Sequence, residues 1–140
     1  MGLDALVFRN VRHLEDRLGR GLFDVDGTTG EATVNESAGI SAPRSAFIAI
    51  RCRIGNAAEI AVLQRAVATL LSGHDSLILS RVLYSGSHAG DSIMPSDHPR
   101  LRLELSRLKA SDDSGTQLFI RAMESLLDAA EAEQNPIVFV

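Results

Sequence analysis

The sequence predicts a single α+β domain, of the mixed α/β kind, spanning residues 1–140, with a central sheet of about four to six strands and three main helices. Two observations support this fold class. Short apolar segments with a two-residue period alternate with longer segments whose apolar residues recur every three or four positions. Glycine, proline, serine and aspartate separate these segments and mark the turns. A length of 140 residues is enough for one domain with a substantial core.

The first third of the chain predicts a strand, a short helix and a hairpin. Residues 3–8 are apolar enough for a strand, and residues 10–20 carry one apolar face of a short helix. Two alternating runs flank Asp26 and Gly27, which tolerate the backbone angles of a tight turn and so predict a hairpin. Residues 36–45 show no periodicity and are expected to form a loop.

The middle of the chain begins with a strong strand followed by a helix. Residues 47–54 alternate, with isoleucine and cysteine on one face and arginine on the other. Asn56 and Glu59 have the spacing of a capping box, which predicts that a helix begins at Asn56. Its apolar stripe continues to about residue 72, and Gly73 is expected to end it.

Residues 76–84 form the second strong apolar segment. Both faces are apolar except at Ser80 and Arg81, which indicates a strand at the centre of the sheet. The helical segment before it is long enough for a right-handed parallel crossover from the preceding strand, although an antiparallel arrangement stays open.

The last third predicts two helices and a final strand. Asp97 is placed to cap the first helix, and Ser114 with Gln117 has the spacing of a second capping box. The second helix should run for about 16–18 residues. Ile137–Val140 reads as a final strand, and an unpaired apolar strand at a sheet edge would favour a homodimer formed through it.

Composition restricts the classes of function. No apolar run approaches the roughly 20 residues of a membrane span, and the first residues lack the features of a signal peptide, so we expect a cytoplasmic protein. Cys52 is the only cysteine, which leaves no internal disulfide. The net charge of −4 argues against nucleic acid as a partner and is compatible with a basic protein partner. No glycine-rich phosphate signature is present, and we expect no cofactor.

The segment VLYSGSHAGDSI, residues 82–93, concentrates the residue types of a reactive site. Ser85, Ser87, His88 and Asp91 include those of a hydrolytic triad. Triad members usually come from distant parts of a chain, however, and the segment lacks the glycine-flanked serine of a nucleophile elbow. The simpler interpretation is a tight turn whose serine and aspartate side chains satisfy its backbone donors.

Three arginines form a second candidate site. Arg51 and Arg53 share one strand face, and Arg81 lies within the second predicted strand. If the two strands are neighbours, three guanidinium groups could converge on an anion or a carboxylate. The alternative is that these arginines pair with acidic residues of the covering helices or face solvent. The spacing of histidine and acidic residues matches no known metal-binding pattern, so we expect no metal site.

Several short motifs together resemble a known group of proteins. They are the opening Met-Gly-Leu-Asp, the helix start at residues 53–56, the loop at residues 83–91 and the ending Asn-Pro-Ile-Val-Phe-Val. The chain resembles a group of small bacterial cytoplasmic proteins of mostly unknown function, and it is similar to the immunity protein 70 family of polymorphic toxin systems. This resemblance implies a protein that binds and neutralises a toxin domain. It also implies that Ser85, Ser87, His88 and Asp91 correspond to the family's characteristic loop.

The sequence therefore leaves two alternative functions. The first is a non-enzymatic binding protein, specifically an immunity protein whose partner is a toxin. The alternative is a small enzyme or ligand-binding domain with its site at the Ser85–Asp91 loop and at Arg51 and Arg53. The alternative predicts a concave pocket at the loop and a contact between His88 and an acidic side chain.

Overall fold

The computed structural model describes residues 2–71, 75–86 and 88–140. It contains ten helices and strands within those ranges, besides several shorter helical turns. In chain order they are β1 (Gly2–Phe8), α1 (Val11–Leu18), β2 (Phe23–Val25), β3 (Ala32–Val34), β4 (Ile48–Asn56), α2 (Ala57–Leu70), β5 (Ser92–Ile93), α3 (His98–Leu108), α4 (Ser114–Glu133) and β6 (Ile137–Phe139).

The main sheet has four antiparallel strands in the order β4-β1-β6-β5. A separate two-stranded sheet is the β2–β3 hairpin. The predicted α+β class, with a sheet of four strands and three main helices, is confirmed. None of the helices in the described ranges is both long enough and apolar enough to cross a bilayer.

The helices α2, α3 and α4 cover one face of the main sheet and enclose the principal core. Alternate residues of β1, such as Ala5 and Val7, point into this core, whereas Leu6 and Phe8 point to the opposite face with Val138. A smaller apolar cluster lies under α1 and the hairpin. Two buried layers therefore lie on the two sides of one sheet.

Most local predictions in the first half of the chain agree with the structure. The strand, helix and hairpin before residue 35 are all present, and residues 36–45 form a loop that contains a short 3₁₀ turn, with a second beginning at Arg44. The capping box of α2 is complete, because the Asn56 side chain accepts from the Glu59 amide and the Glu59 carboxylate accepts from the Asn56 amide. The predicted end of this helix at Gly73 falls outside the described residues.

The predicted central strand at residues 76–84 is wrong. Ile78–Val82 is instead a π-helical turn, closed by the Leu83 amide donating to the Ile78 carbonyl at 2.9 Å. The cause lies in the buried carboxylate of Glu104 on α3, which accepts from the amides of Leu77 (2.9 Å) and Ile78 (3.2 Å). A carboxylate at this position stabilises the start of a helical turn. The proposed parallel crossover is therefore absent, and the sheet pairs only antiparallel strands within the described ranges.

The prediction of an unpaired final strand is also wrong. β6 lies between β1 and β5, and the Val140 amide donates to the Asp4 carbonyl just beyond it. Ile137–Val140 therefore offers no bare edge for a homodimer. In the part of the chain that the structure describes, the outer strands of the main sheet are β4 and β5.

Two predicted helix caps differ from the observed ones: Asp97 lies at the N-cap position of α3 but makes no cap hydrogen bond, and α4 is capped one residue earlier than predicted. The Asp97 side chain does not cap α3 and instead faces Arg81. The cap of α4 is Asp113 rather than Ser114, and its carboxylate accepts from both the amide and the hydroxyl of Thr116 at 2.8 Å. These hydrogen bonds lower the pKa of Asp113.

Candidate functional site

His88 occupies the centre of the loop that the sequence singled out. Its side chain is only 3% exposed and lies between two aromatic rings, stacked on Tyr84 at 4.6 Å and tilted against Phe139 at 4.9 Å. Nε2 lies 2.7 Å from the Val82 carbonyl oxygen, which can only accept, so Nε2 carries a hydrogen. His88 therefore fixes the loop to the end of the π-helical turn.

The second nitrogen of the same ring faces Asp91. His88 Nδ1 and Asp91 Oδ2 are 3.3 Å apart but are not aligned for a hydrogen bond. The Tyr84 hydroxyl donates to the same carboxylate oxygen. That hydrogen bond raises the pKa of Tyr84, with smaller contributions from desolvation and from the negative charge of Asp91. Tyr84 therefore remains a neutral donor.

The backbone around these side chains is tied to its neighbours. The Gly90 amide donates to the Phe139 carbonyl, and the Phe139 amide donates to the Asp91 carbonyl, so the loop continues the pairing of β5 with β6. Gly86 lies against the first turn of α2, where a Cβ would come within 2.8 Å of the Ala57 Cα. The loop thus has the contacts of a structural turn.

The predicted loop residues are only partly brought together. His88 and Asp91 are in contact, as the enzyme hypothesis expects, whereas Ser85 is half-buried and Ser87 lies outside the described residues. Both ring nitrogens of His88 face protein groups, namely the Val82 carbonyl and the Asp91 carboxylate. A general base needs a nitrogen within reach of a substrate proton, and this arrangement presents none at the surface.

The three candidate arginines do not share two neighbouring strands. Arg51 and Arg53 lie exposed on β4, but Arg81 belongs to the π-helical turn and faces Asp97 at 3.9 Å. The expectation of convergence rested on adjacent strands, and that basis is wrong. Arg51 binds Asp4 on β1 through two nitrogens, at 2.9 and 2.8 Å.

The acidic face of α4 is largely neutralised within the fold. Asp128 and Glu131 both bind Arg102 of α3, at 3.1 and 3.0 Å, and Glu124 binds Lys109 at 2.6 Å. Glu133, at the end of the same helix, accepts from the backbone amide of Asn10 and contacts His13. These carboxylates therefore hold α4 to its neighbours, and the face is a weaker attraction for a basic partner than its sequence suggests.

An open groove of about 610 Å³ lies beside the last residues of β4. Its floor is apolar and includes the buried side chains of Leu63 and Phe119. Val62 of α2 and Leu118 of α4 line it while remaining 56% and 64% exposed. Large apolar side chains that share one depression are typical of an interaction surface, whereas scattered ones are ordinary.

Three charged residues also line this groove, and two of them are carboxylates occupied in capping helices. Glu59 is engaged in the capping box of α2, and Asp113 caps α4. Arg53 makes no ion pair within residues 2–71, 75–86 and 88–140, and its guanidinium lies against Gly2, where a Cβ would come within 3.1 Å. The groove therefore combines an apolar floor with one available positive charge.

The sequence contains a signal for this groove in apolar residues outside the regular stripes of the two helices. Val62 lies off the buried stripe of α2, and Leu118 precedes the buried Phe119 on α4. An apolar residue outside the stripe of an amphipathic helix is a candidate for a contact with another molecule. The proximity of the two helix starts was not predictable from either stripe alone.

Within the described ranges, no three histidine, cysteine or acidic side chains are grouped so as to hold a metal ion. His74 lies outside those ranges. Comparison with known proteins returned no matching family model, no matching curated protein and no matching solved structure.

Proposed function

We propose that this chain is a non-enzymatic protein-binding domain that holds its partner at the groove between β4, α2 and α4. The observation that carries the proposal is the pair of exposed apolar side chains, Val62 and Leu118, facing one depression beside Arg53, for which the described ranges of the chain hold no ion-pair partner. Apolar contact surface with a few polar groups at its border is the usual composition of a protein interface. A nucleic acid would call for a far more basic surface than a chain of net charge −4 provides.

The state of the Ser85–Asp91 loop supports binding over catalysis. His88 is buried between Tyr84 and Phe139, and its ring holds the loop to the Val82 carbonyl. A residue used in this way contributes to the stability of the fold, and exposing it to a substrate would require the loop to open. The Asp91 carboxylate is likewise used within the loop, because it accepts from the Tyr84 hydroxyl.

The class of partner comes from the resemblance to the immunity protein 70 family. On that basis we propose a bacterial toxin domain as the partner and the cytoplasm as the location, since an immunity protein must meet its toxin where the toxin acts. A domain of this kind needs no cofactor, because tight occupation of the toxin's surface is sufficient for neutralisation.

Growth protection tests this proposal. Each protein encoded beside this gene is expressed in a host that lacks it, and those that arrest growth are expressed again together with the chain. We expect rescue by the native chain and loss of rescue by Val62→Asp and Leu118→Asp, because a charge placed in an apolar contact must be desolvated. Leu103→Asp is the matched control, since Leu103 is 54% exposed on α3 outside the groove. Rescue that survives both groove substitutions, or no toxic neighbour that is rescued, contradicts the proposal.

One observation favours the second candidate, a small enzyme or ligand-binding domain at the loop. His88 and Asp91 are in contact, and the Tyr84 hydroxyl shares the same carboxylate, which together form a small polar cluster. If this cluster binds a ligand, Tyr84→Phe abolishes binding or turnover without unfolding the protein. The protein-binding proposal expects Tyr84→Phe to retain growth protection in full.

A further inference from the structure

The outer edge of β4 is open along most of its length. β4 pairs with β1 on one side, and within the described part of the chain no backbone or side-chain hydrogen bond reaches residues 49–55 from the other side. An edge strand exposes alternate N–H and C=O groups that are ready to pair with another strand. At nine residues, β4 is also the longest strand of the main sheet.

The two faces of this edge strand differ in chemistry. Cys52 and Ile54 point to the core side, under the helices, whereas Arg51 and Arg53 point to the other side, toward Asp4. Residues 53–55 also line the apolar groove. A strand added to β4 would therefore place alternate side chains over the groove and the intervening ones beside the two arginines.

Two-fold pairing of two copies of this chain along that edge is unfavourable in the registers centred on residues 51–53. In a two-fold antiparallel pairing the residue numbers of opposed positions have a constant sum. A two-fold axis at Cys52 brings Arg51 opposite the other copy's Arg53, and an axis at either arginine brings that arginine opposite itself. Like charges directly opposite each other destabilise a strand pair. In the registers centred on residues 51–53 the arginines therefore oppose self-association, and they favour carboxylates opposite them instead.

From these features we infer that the partner contributes an extended segment that adds to the sheet at β4, with acidic residues at every second position facing Arg51 and Arg53 and apolar residues at the intervening positions facing Val62 and Leu118. This inference rests on the proposed function and specifies the chemistry of the partner. Main-chain hydrogen bonds would supply affinity, and the alternating side chains would supply specificity, as in other cases of strand addition. It also reverses the expectation drawn from net charge, because the local surface selects an acidic segment.

The test uses synthetic peptides and the full chain. The probe is a peptide of alternating glutamate and valine, the first control replaces each glutamate by lysine, and the second carries N-methyl groups that block pairing on one edge. We expect the glutamate peptide to bind at least about tenfold more tightly than either control in a fluorescence anisotropy titration. Equal binding of the lysine peptide or of the N-methylated peptide overturns the inference, and so does no binding of the glutamate peptide.

Variants then locate the binding. Arg53→Glu should lower the affinity for the glutamate peptide by about tenfold or more and raise that for the lysine peptide, because the sign of the facing charge is reversed. The matched control is Arg20→Glu, which makes the same charge change after the end of α1. Equal effects of the two substitutions overturn the inference, as does a dimer in sedimentation analysis that Arg53→Glu alters.

The outcomes separate this inference from the proposed function. If the glutamate peptide does not bind but growth protection depends on Val62 and Leu118, the acidic strand is wrong and the groove remains the interface. If the peptide binds with the expected charge preference but no neighbouring toxin is rescued, the edge binds acidic strands and the immunity role is wrong.

Discussion

Replacing His88 by alanine distinguishes a structural loop from a reactive one. The substitution removes the hydrogen bond to the Val82 carbonyl and leaves that group without its partner, which costs about 1–3 kcal/mol. It also removes ring contacts with Tyr84 and Phe139, each worth roughly 0.5–1.5 kcal/mol. We therefore expect a loss of about 2–6 kcal/mol in the free energy of unfolding, which is a large share of the stability of a typical domain.

Urea denaturation followed by circular dichroism measures this loss. With a slope of about 2 kcal/mol per molar urea, the midpoint should fall by roughly 1–3 M. His13→Ala is the matched control, because His13 is 55% exposed and contacts Glu133 at the surface; its expected change is below about 1 kcal/mol. If the free energy of unfolding of His88→Ala lies within about 0.5 kcal/mol of that of the native chain, the structural role of the ring is refuted. The loop would then again be a candidate binding or catalytic site.

Three further substitutions test other parts of the fold. Glu104→Ala removes the acceptor for the amides that begin the π-helical turn, and urea denaturation should show a loss of about 3–5 kcal/mol in the free energy of unfolding. Glu104→Gln should cost less, because the amide keeps one acceptor oxygen. Equal losses for the two substitutions would contradict this role of Glu104. Burial lowers the pKa of His98, so on acidification the unfolded chain takes up a proton at this histidine before the folded chain does. The free energy of unfolding should therefore fall as pH drops below about 6.5, and it should fall less steeply in His98→Asn. Identical pH profiles for the two chains would contradict a role of His98 in this pH dependence. Gly86→Ala should cost about 1–3 kcal/mol because its Cβ meets Ala57 at 2.8 Å, whereas Gly27→Ala, with no atom within 4 Å, should be neutral; equal stabilities would refute the close approach.

Local chemistry made the first half of the fold predictable. The Asn56 and Glu59 capping box fixes the start of α2, and the turn at Asp26 and Gly27 joins β2 to β3. In each case the interacting residues are close in sequence, so the local sequence is enough to predict the structure. The long stripe of α4 was likewise visible, although its cap lay one residue earlier than expected.

The segment at residues 76–84 was unpredictable for the opposite reason. An apolar run without a clear period fits a buried strand and a buried helical turn equally well. The group that decides between them is the Glu104 carboxylate, which reaches Leu77 from 27 positions away along the chain. No local pattern reports such a contact, and the error also removed the basis for placing Arg81 beside Arg51 and Arg53.

The candidate site was likewise only partly predictable from the sequence. The sequence drew attention to His88 and Asp91 correctly as neighbours, but it could not show that the ring is enclosed between Tyr84 and Phe139. Arg53 was selected as an anion-binding residue, whereas Val62 and Leu118 were passed over because a groove between two helices exists only in three dimensions.

Nuclear magnetic resonance of the labelled chain during titration with the glutamate-valine peptide tests the central claim most directly, because it reports which face receives the partner. We expect chemical-shift changes and slowed amide exchange at residues 49–55 of β4, together with shifts at Val62 and Leu118, and none at residues 84–91. Changes concentrated at His88 and Asp91, with β4 unaffected, would contradict it and would move the binding site to the loop.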